Sequence, residues 1–172
     1  NNTMWHVHET LFARDAKKTP QPQLVDKYEP SSDGMAAVIR LRKGVLFHND
    51  KEMTSADVVA SLQRYAAMAP RGKQIFADVE SLSATDSHTV TFKFKAPRTG
   101  ILPVFLSRDA LITTEEIANK FPKEKFTEYV GTGPYKFGEH QPDRFIKLVR
   151  FDKYVTDERP TDGEAGKKVA FL

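Results

Sequence analysis

Three side chains near the start of the chain, His6, His8 and Glu9, are of the types that hold a transition metal. On a strand, His6 and His8 point to one face and can share a zinc ion. On a helix, where each residue turns the chain by about 100°, the two rings diverge by about 200° and no shared site forms. A metal carrier or a metal-dependent hydrolase built on these residues is one function class that the sequence leaves open. Ser, His and Asp are all available for nucleophilic catalysis. There is no Gly-x-Ser-x-Gly elbow, however, and no feature that activates a serine. The acidic residues are scattered and define no carboxylate pair of the glycosidase kind. Gly131-Thr132-Gly133-Pro134 is not a phosphate loop, because the glycine spacing is wrong and no Lys-Ser/Thr follows. Its two glycines permit positive φ and its proline restricts the next step, so it is expected to set the chain's direction into a strand. His48, at a turn after Phe47, is expected to make a structural hydrogen bond.

The elements that must position these residues belong to an ordinary globular chain. It has 172 residues, 40% hydrophobic and 28% charged, enough for one domain or two small lobes. Net charge is +3 from 26 basic and 23 acidic residues. The two signs are interspersed, as in Lys123-Glu124-Lys125, which reads as a solvated surface and not as a nucleic-acid footprint. Cysteine is absent, which excludes disulfides, thiolate metal sites and a cysteine nucleophile. No apolar run approaches the roughly 18 residues of a membrane span. No signal peptide is present, as expected of a mature, trimmed or cytosolic chain.

Thr19-Pro20-Gln21-Pro22-Gln23 reads as a loop, since two prolines oppose regular pairing. Met35 to Arg42 alternates, with Ile39 and Leu41 on one face and Val38, Arg40 and Arg42 on the other, which is strand spacing. Thr54 is the expected N-cap of a helix, with Asp57 three residues on completing a capping box and Met53 and Val58 a hydrophobic staple. Val58, Leu62 and Tyr65 give that helix an apolar face, and Pro70 and Gly72 are expected to stop it. Val79–Ala84 and Thr89–Lys95 are expected to form a hairpin with Val90, Phe92 and Phe94 inward. Thr113 with Glu116 has capping-box spacing for a short helix. Residues 135–139 and 145–151 make a second hairpin, 156–168 a loop, and Lys168 to Leu172 the opening of a strand. That apolar end with nothing after it hints at a longer protein.

Several segments, in order, resemble one family. They are Val7-His8-Glu9-Thr10-Leu11-Phe12, taken as a helix; Leu24-Val25-Asp26-Lys27-Tyr28 with Ser32-Asp33-Gly34; Leu41-Arg42-Lys43-Gly44-Val45 with Phe47-His48; Thr54-Ser55-Ala56-Asp57-Val58-Val59; and Gly131-Thr132-Gly133-Pro134-Tyr135. Together they resemble the family 5 extracellular solute-binding proteins of ABC importers. One departure is Asn49-Asp50, where the family carries Asp-Gly.

The resemblance implies an α+β fold of small mixed or antiparallel sheets, part of lobe I of a two-lobe, type II-like binding protein. Residues of about 35–155 would be its extra subdomain and 156–172 a loop and returning strand. It implies a non-enzymatic protein without cofactor, which captures peptides or related small solutes outside the inner membrane and delivers them to a membrane permease. The protein would be periplasmic, or lipid-anchored outside a Gram-positive cell. Two regions are implied to reach the solute: Asn2, Thr3 and Trp5 before the first helix, and Arg71, Lys73 and Phe76 in a loop, residues 71–76, after the signature helix. Trp5 would stack on an apolar part of the solute, and Arg71 or Lys73 would meet a carboxylate. A dimerising interaction domain, using apolar surface left uncovered on the lobe, is the third function class.

Overall fold

The computed structural model describes residues 3–165. The expected strand at Lys168–Leu172 and the candidate Asn2 lie outside the described residues. The chain is α+β, as the resemblance implies. Its elements run α1 (Met4–Val7), β1 (Phe12–Arg14), β2 (Pro20–Pro22), β3 (Val25–Pro30), β4 (Ala36–Leu41), α2 (Ser55–Met68), α3 (Pro70–Phe76), β5 (Val79–Asp86), β6 (Thr89–Phe94), α4 (Leu102–Phe105), α5 (Glu115–Lys120), β7 (Tyr135–Gln141) and β8 (Phe145–Arg150). A 3-10 turn, Thr99–Ile101, leads into α4. All strand pairs are antiparallel: β1-β2, the four-stranded order β3-β4-β6-β5, and β7-β8.

The four-stranded sheet organises the rest. Ala37, Ile39 and Leu41 of β4 and Val90, Phe92 and Phe94 of β6 are buried, so the two-residue periodicity names the inward face correctly. Helix α2 lies over β5 and β6 and inserts Val58, Leu62 and Tyr65 into the same core. Its start is the capping box: Thr54 N–H donates to Asp57 Oδ2 at 2.8 Å, and the reciprocal half is also present. Met53 and Val58 are both fully buried, as a staple requires. The second short helix starts one residue later than its spacing suggests, with Thr114 the N-cap. Thr113 instead turns inward and donates its hydroxyl to Val130 O.

Three other local expectations are corrected. The proline-rich segment at 20–22 pairs with β1 instead of looping. The bonded pairs fall at Asp15 with Thr19 and Leu11 with Gln23, so the register Ala13↔Gln21 puts Gln21 at the next bonded position. Pro20 and Pro22 then occupy the alternate sites, where no N–H is asked of them. Pro70 ends α2 but opens α3 as its first residue, so 71–76 is helix and not loop. Gly72 lets α3 fold back on α2, since a Cβ there would stand 2.1 Å from Tyr65 O. Finally, the segment Val7–Phe12 is not a helix. Helix α1 ends at Val7, and His8 is already extended, with φ −109° and ψ 150°.

Candidate functional site

Extended backbone at His8 decides the metal question in favour of neither geometry considered from sequence. His6 stands on the last turn of α1, edge-on to Tyr135 at 6.2 Å. His8 is buried, donates from Nδ1 to Ile112 O at 3.1 Å and stacks on Phe126 at 5.9 Å. Glu9 accepts the hydroxyls of Tyr154 and Thr132, each at 2.9 Å. These three side chains therefore serve three different contacts. Among the described residues, no three His, Asp or Glu side chains are grouped to hold a metal.

The Gly131–Pro134 strap does direct the chain into β7, but not through positive φ, which occurs at Gly34, Gly44 and Gly163 instead. Its glycines are needed for contact. A Cβ at Gly131 would fall 2.1 Å from Val7 O, and one at Gly133 would fall 2.4 Å from His6 O. Gly133 N–H donates to Val7 O at 2.9 Å, closing the strap onto the end of α1. His48 holds the strap from the other side, as the expected structural hydrogen bond. Its Nε2 donates to Gly133 O at 2.8 Å, and its Nδ1 accepts Gly131 N–H at 3.4 Å. Burial is the main reason its pKa lies below the usual histidine value.

The expected solute-facing residues separate into two groups. Trp5 is half-buried on α1 with the Arg108 guanidinium 5.2 Å over its ring. Arg71, on the first turn of α3, donates to Val104 O at 3.4 Å and lies 5.4 Å over the Phe105 ring. Both thus border one short segment, α4 and the turn after it. Lys73 is exposed further along α3. Phe76 is half-buried and packs edge-on to Phe92 at 6.1 Å, which makes it part of the core's margin. Thr3, half-buried, is the residue before α1; its carbonyl accepts His6 N–H at 3.2 Å.

The segment that joins Trp5 to Arg71 was not singled out by any motif. Tyr65 of α2 fixes it by donating to Phe105 O at 3.0 Å, and burial pushes that hydroxyl's pKa up to about 12. Leu102 and Leu106 anchor it in the core, while Ile101 and Val104 stay exposed at 41% and 36%. Arg108 follows on the surface. The one available signal was an apolar run, Ile101 to Leu106, that is too short and too proline-interrupted to show a period.

An open recess of about 790 Å³ lies elsewhere, at the turn end of β5 and β6, lined by Arg40, Arg42, Lys43, Asp86 and His88 among others. Its charges are mixed and partly paired, Arg40 with Glu29 at 2.7 Å and His88 with Glu52 at 3.0 Å. Helix α3 sits at the opposite end of those strands, roughly 20 Å away for six residues of strand.

The arrangement offers aromatic rings, guanidiniums and exposed aliphatic side chains, with no activated nucleophile: equipment for holding a molecule. Comparison with known proteins agrees. The family model for bacterial extracellular solute-binding proteins, family 5, matches residues 19–171. A probable peptide ABC transporter periplasmic-binding protein of Sinorhizobium fredii is 32% identical over 169 residues, covering 96% of this chain and 32% of that protein. A glutathione-binding protein of Pectobacterium atrosepticum is 28% identical over 149 residues, 86% of this chain and 29% of its own length. Among solved structures, the periplasmic binding protein AgaA of A. tumefaciens, in complex with agropinic acid, superposes with a TM-score of 0.77 at 27% identity, over 89% of this chain and 31% of that one. The chain thus spans about a third of the length of these relatives, and it belongs to the family 5 bacterial extracellular solute-binding proteins.

Proposed function

We propose that this chain is part of lobe I of the solute-binding component of an ABC importer. It captures peptides or related small solutes in the periplasm and presents them to the membrane permease. The carrying observation is the family match over residues 19–171, which spans the four-stranded sheet, α2, α3 and the α4 segment. The relatives named above are binding proteins for peptides, glutathione and agropinic acid, which supports a small polar solute here.

Within that reading, residues of about 35–155 form the family's extra subdomain. Thr3, Trp5, Arg71 and Lys73 belong to the lobe I side of the cleft, with Phe76 backing α3; Asn2 is assigned there from sequence position alone. A second lobe supplies the other wall, and closure follows from solute contacts to both. With one wall only, affinity is low. The chain contains a single tryptophan, so its fluorescence reports on this face. Titration with short peptides and glutathione is expected to change Trp5 emission and saturate in the millimolar range. No change with any of these solutes would remove Trp5 from the cleft. Micromolar binding by this chain alone would show that one lobe suffices.

A further inference from the structure

We infer that the free edge of β5 (Val79–Asp86) is an interaction surface for a second copy of this chain, which pairs with it antiparallel about a two-fold axis centred on Leu82. None of the residues involved is among those assigned to the solute's path. The contact is made by backbone groups and not by uncovered apolar side chains.

Among the described residues β5 is the longest strand, at 8 residues, and it ends the order β3-β4-β6-β5. The phase of the hydrogen bonds shows which of its backbone groups are free. Phe94 N–H donates to Met35 O and, at the other end of the same pair, Leu41 N–H donates to His88 O, each at 2.8 Å. With Ala37↔Phe92 and Ile39↔Val90 between them, the even-numbered residues of β6 bond to β4, while Thr91 and Lys93 bond to β5. Ser83 and Ser81 face these two, so the N–H and C=O groups of Leu82 and Ala84 point away from β6. Among the described residues nothing bonds to them.

The other edges are protected. β3 carries Lys27, Glu29 and Pro30, and Arg159 donates to the carbonyls of Val25 and Asp26. The far side of β1 is taken by Leu106 O and by the N–H groups of Glu164 and Ala165. β7 and β8 carry Lys136, Glu139 and Lys147. Charges, prolines and covering segments are the usual means of blocking an open edge. The run from Ser81 to Thr85 has none of them. The bulges of β5 fall at Val79/Ser81 and Ala84/Asp86 and leave Ser81–Ala84 regular.

Self-pairing about Leu82 fits this run. Leu82 meets its own copy as a bonded pair, with Glu80 opposite Ala84 and Ser81 opposite Ser83 of the second copy, and no like charges are opposed. Leu82 is half-buried and packs against the core, so the two cores approach each other at the axis. Because β3 is blocked, pairing stops at two chains and one isologous contact. An edge of this length buries less than the roughly 1,200 Å² of a standard interface, so the pair is weak, with a dissociation constant on the order of 100 µM.

The test is sedimentation equilibrium of the whole chain from about 10 µM to about 1 mM, with amide exchange followed by NMR. The weight-average mass is expected to rise toward twice that of one chain, and the Leu82 and Ala84 amides to gain protection over the same range. Ala84 is exposed, so its side chain can be changed without touching the core. Ala84→Glu places a like charge opposite Glu80 of the second copy and is expected to weaken association at least about three-fold, while Ala84→Lys places an opposite charge there and strengthens it by a similar factor. Unmoved β4 and β6 amide signals verify the fold of both variants. A mass that stays at one chain up to about 1 mM overturns the pairing. Equal effects of the two Ala84 variants overturn the Leu82-centred register. Protection of the Leu82 amide by a blocked alternating valine–threonine tetrapeptide, with no dependence on chain concentration, overturns the second copy in favour of an extended peptide.

Discussion

The Tyr154 hydroxyl donates to Glu9 Oε1 at 2.9 Å, although 145 residues separate the two in sequence. Thr132 donates to the other carboxylate oxygen, and Glu9 O accepts the Ile112 N–H at 3.0 Å. One residue, only 2% exposed, thereby joins the segment behind α1 to the glycine strap and the chain after β8 through its carboxylate, and to the α4–α5 connection through its carbonyl. Burial raises the Tyr154 pKa well above that of a free phenol, with the Glu9 charge adding to it, so the hydroxyl stays a donor. Glu9→Ala is expected to cost about 3 kcal/mol, because it leaves two buried hydroxyls without an acceptor, and Tyr154→Phe about 1–2 kcal/mol. In urea unfolding, the double variant should be less destabilised than the sum by about 1 kcal/mol or more. Strict additivity would mean that the two side chains act independently.

His48 makes the fold sensitive to mild acid. The ring must be neutral, because Nε2 donates to Gly133 O while Nδ1 accepts from Gly131 N–H. A proton on Nδ1 would face that N–H. Burial, first, and the Lys136 charge hold the folded pKa below the ordinary 6.5, against a raising contribution from Gly133 O. The unfolded chain therefore binds the proton more readily. The stabilisation is complete above about pH 6.5 and is lost as pH falls through the folded pKa. Unfolding free energy measured from pH 8 to 5 should fall on the acid side. His48→Gln should be less stable at pH 8, by about 1–2 kcal/mol, and should flatten the acid slope. An unchanged slope in that variant would place the titrating group elsewhere.

The sequence spoke most clearly where one local rule governed. Alternation named the inward residues of β4 and β6, and Thr54 with Asp57 marked the start of α2, because pleat and cap depend on near neighbours. It failed where long-range contact decided. Pro20 and Pro22 looked unpairable until β1 lay beside them with its bonded sites at odd positions. Residues 71–76 looked like a loop because Pro70 was read as a stop, although the same ring also suits the first turn of α3. At the candidate site, Trp5 and Arg71 were picked out by resemblance, yet the segment that brings them together, Leu102 to Arg108, has no period to read. Asn49-Asp50 is intermediate. The turn is kept where the family has glycine, with Asp50 itself at φ 67°. Asp50→Gly should accordingly raise the melting midpoint.

The strap glycines admit a stricter test, because their role is contact and not conformation. Gly131 and Gly133 have no positive φ, so alanine is compatible with each backbone. The obstacle is space, since the added Cβ meets backbone oxygens of Val7 and His6, which cannot swing aside as a side chain does. Gly133→Ala should cost about 2–3 kcal/mol, as overpacking does, and should shift Trp5 emission, because α1 is the element displaced. Gly100→Ala, which meets no atom within 4 Å, is the control and should leave both stability and emission near those of the parent. A neutral Gly133→Ala would mean that the strap and α1 are not in contact in solution.

Asp57 links the best-specified helix to the start of α5. Its Oδ2 accepts the Thr54 N–H, while Oδ1 accepts Glu115 N–H at 2.8 Å, so one carboxylate caps α2 and also holds the start of α5. Ser61, one turn on, accepts Thr113 N–H and donates to Thr113 O, each at 3.0 Å, fastening the residues just before α5 to the same face. Asp57→Ala removes both acceptors and should cost about 2–3 kcal/mol, more than the roughly 1 kcal/mol of an ordinary cap. Asp57→Asn keeps one acceptor oxygen and should fall between the two. Hydrogen exchange distinguishes this shared role from simple capping: the Asp57→Ala variant should lose protection at Glu115 as well as at the first turn of α2. Loss confined to α2 would show that α5 is held by Ser61 and Thr114 alone.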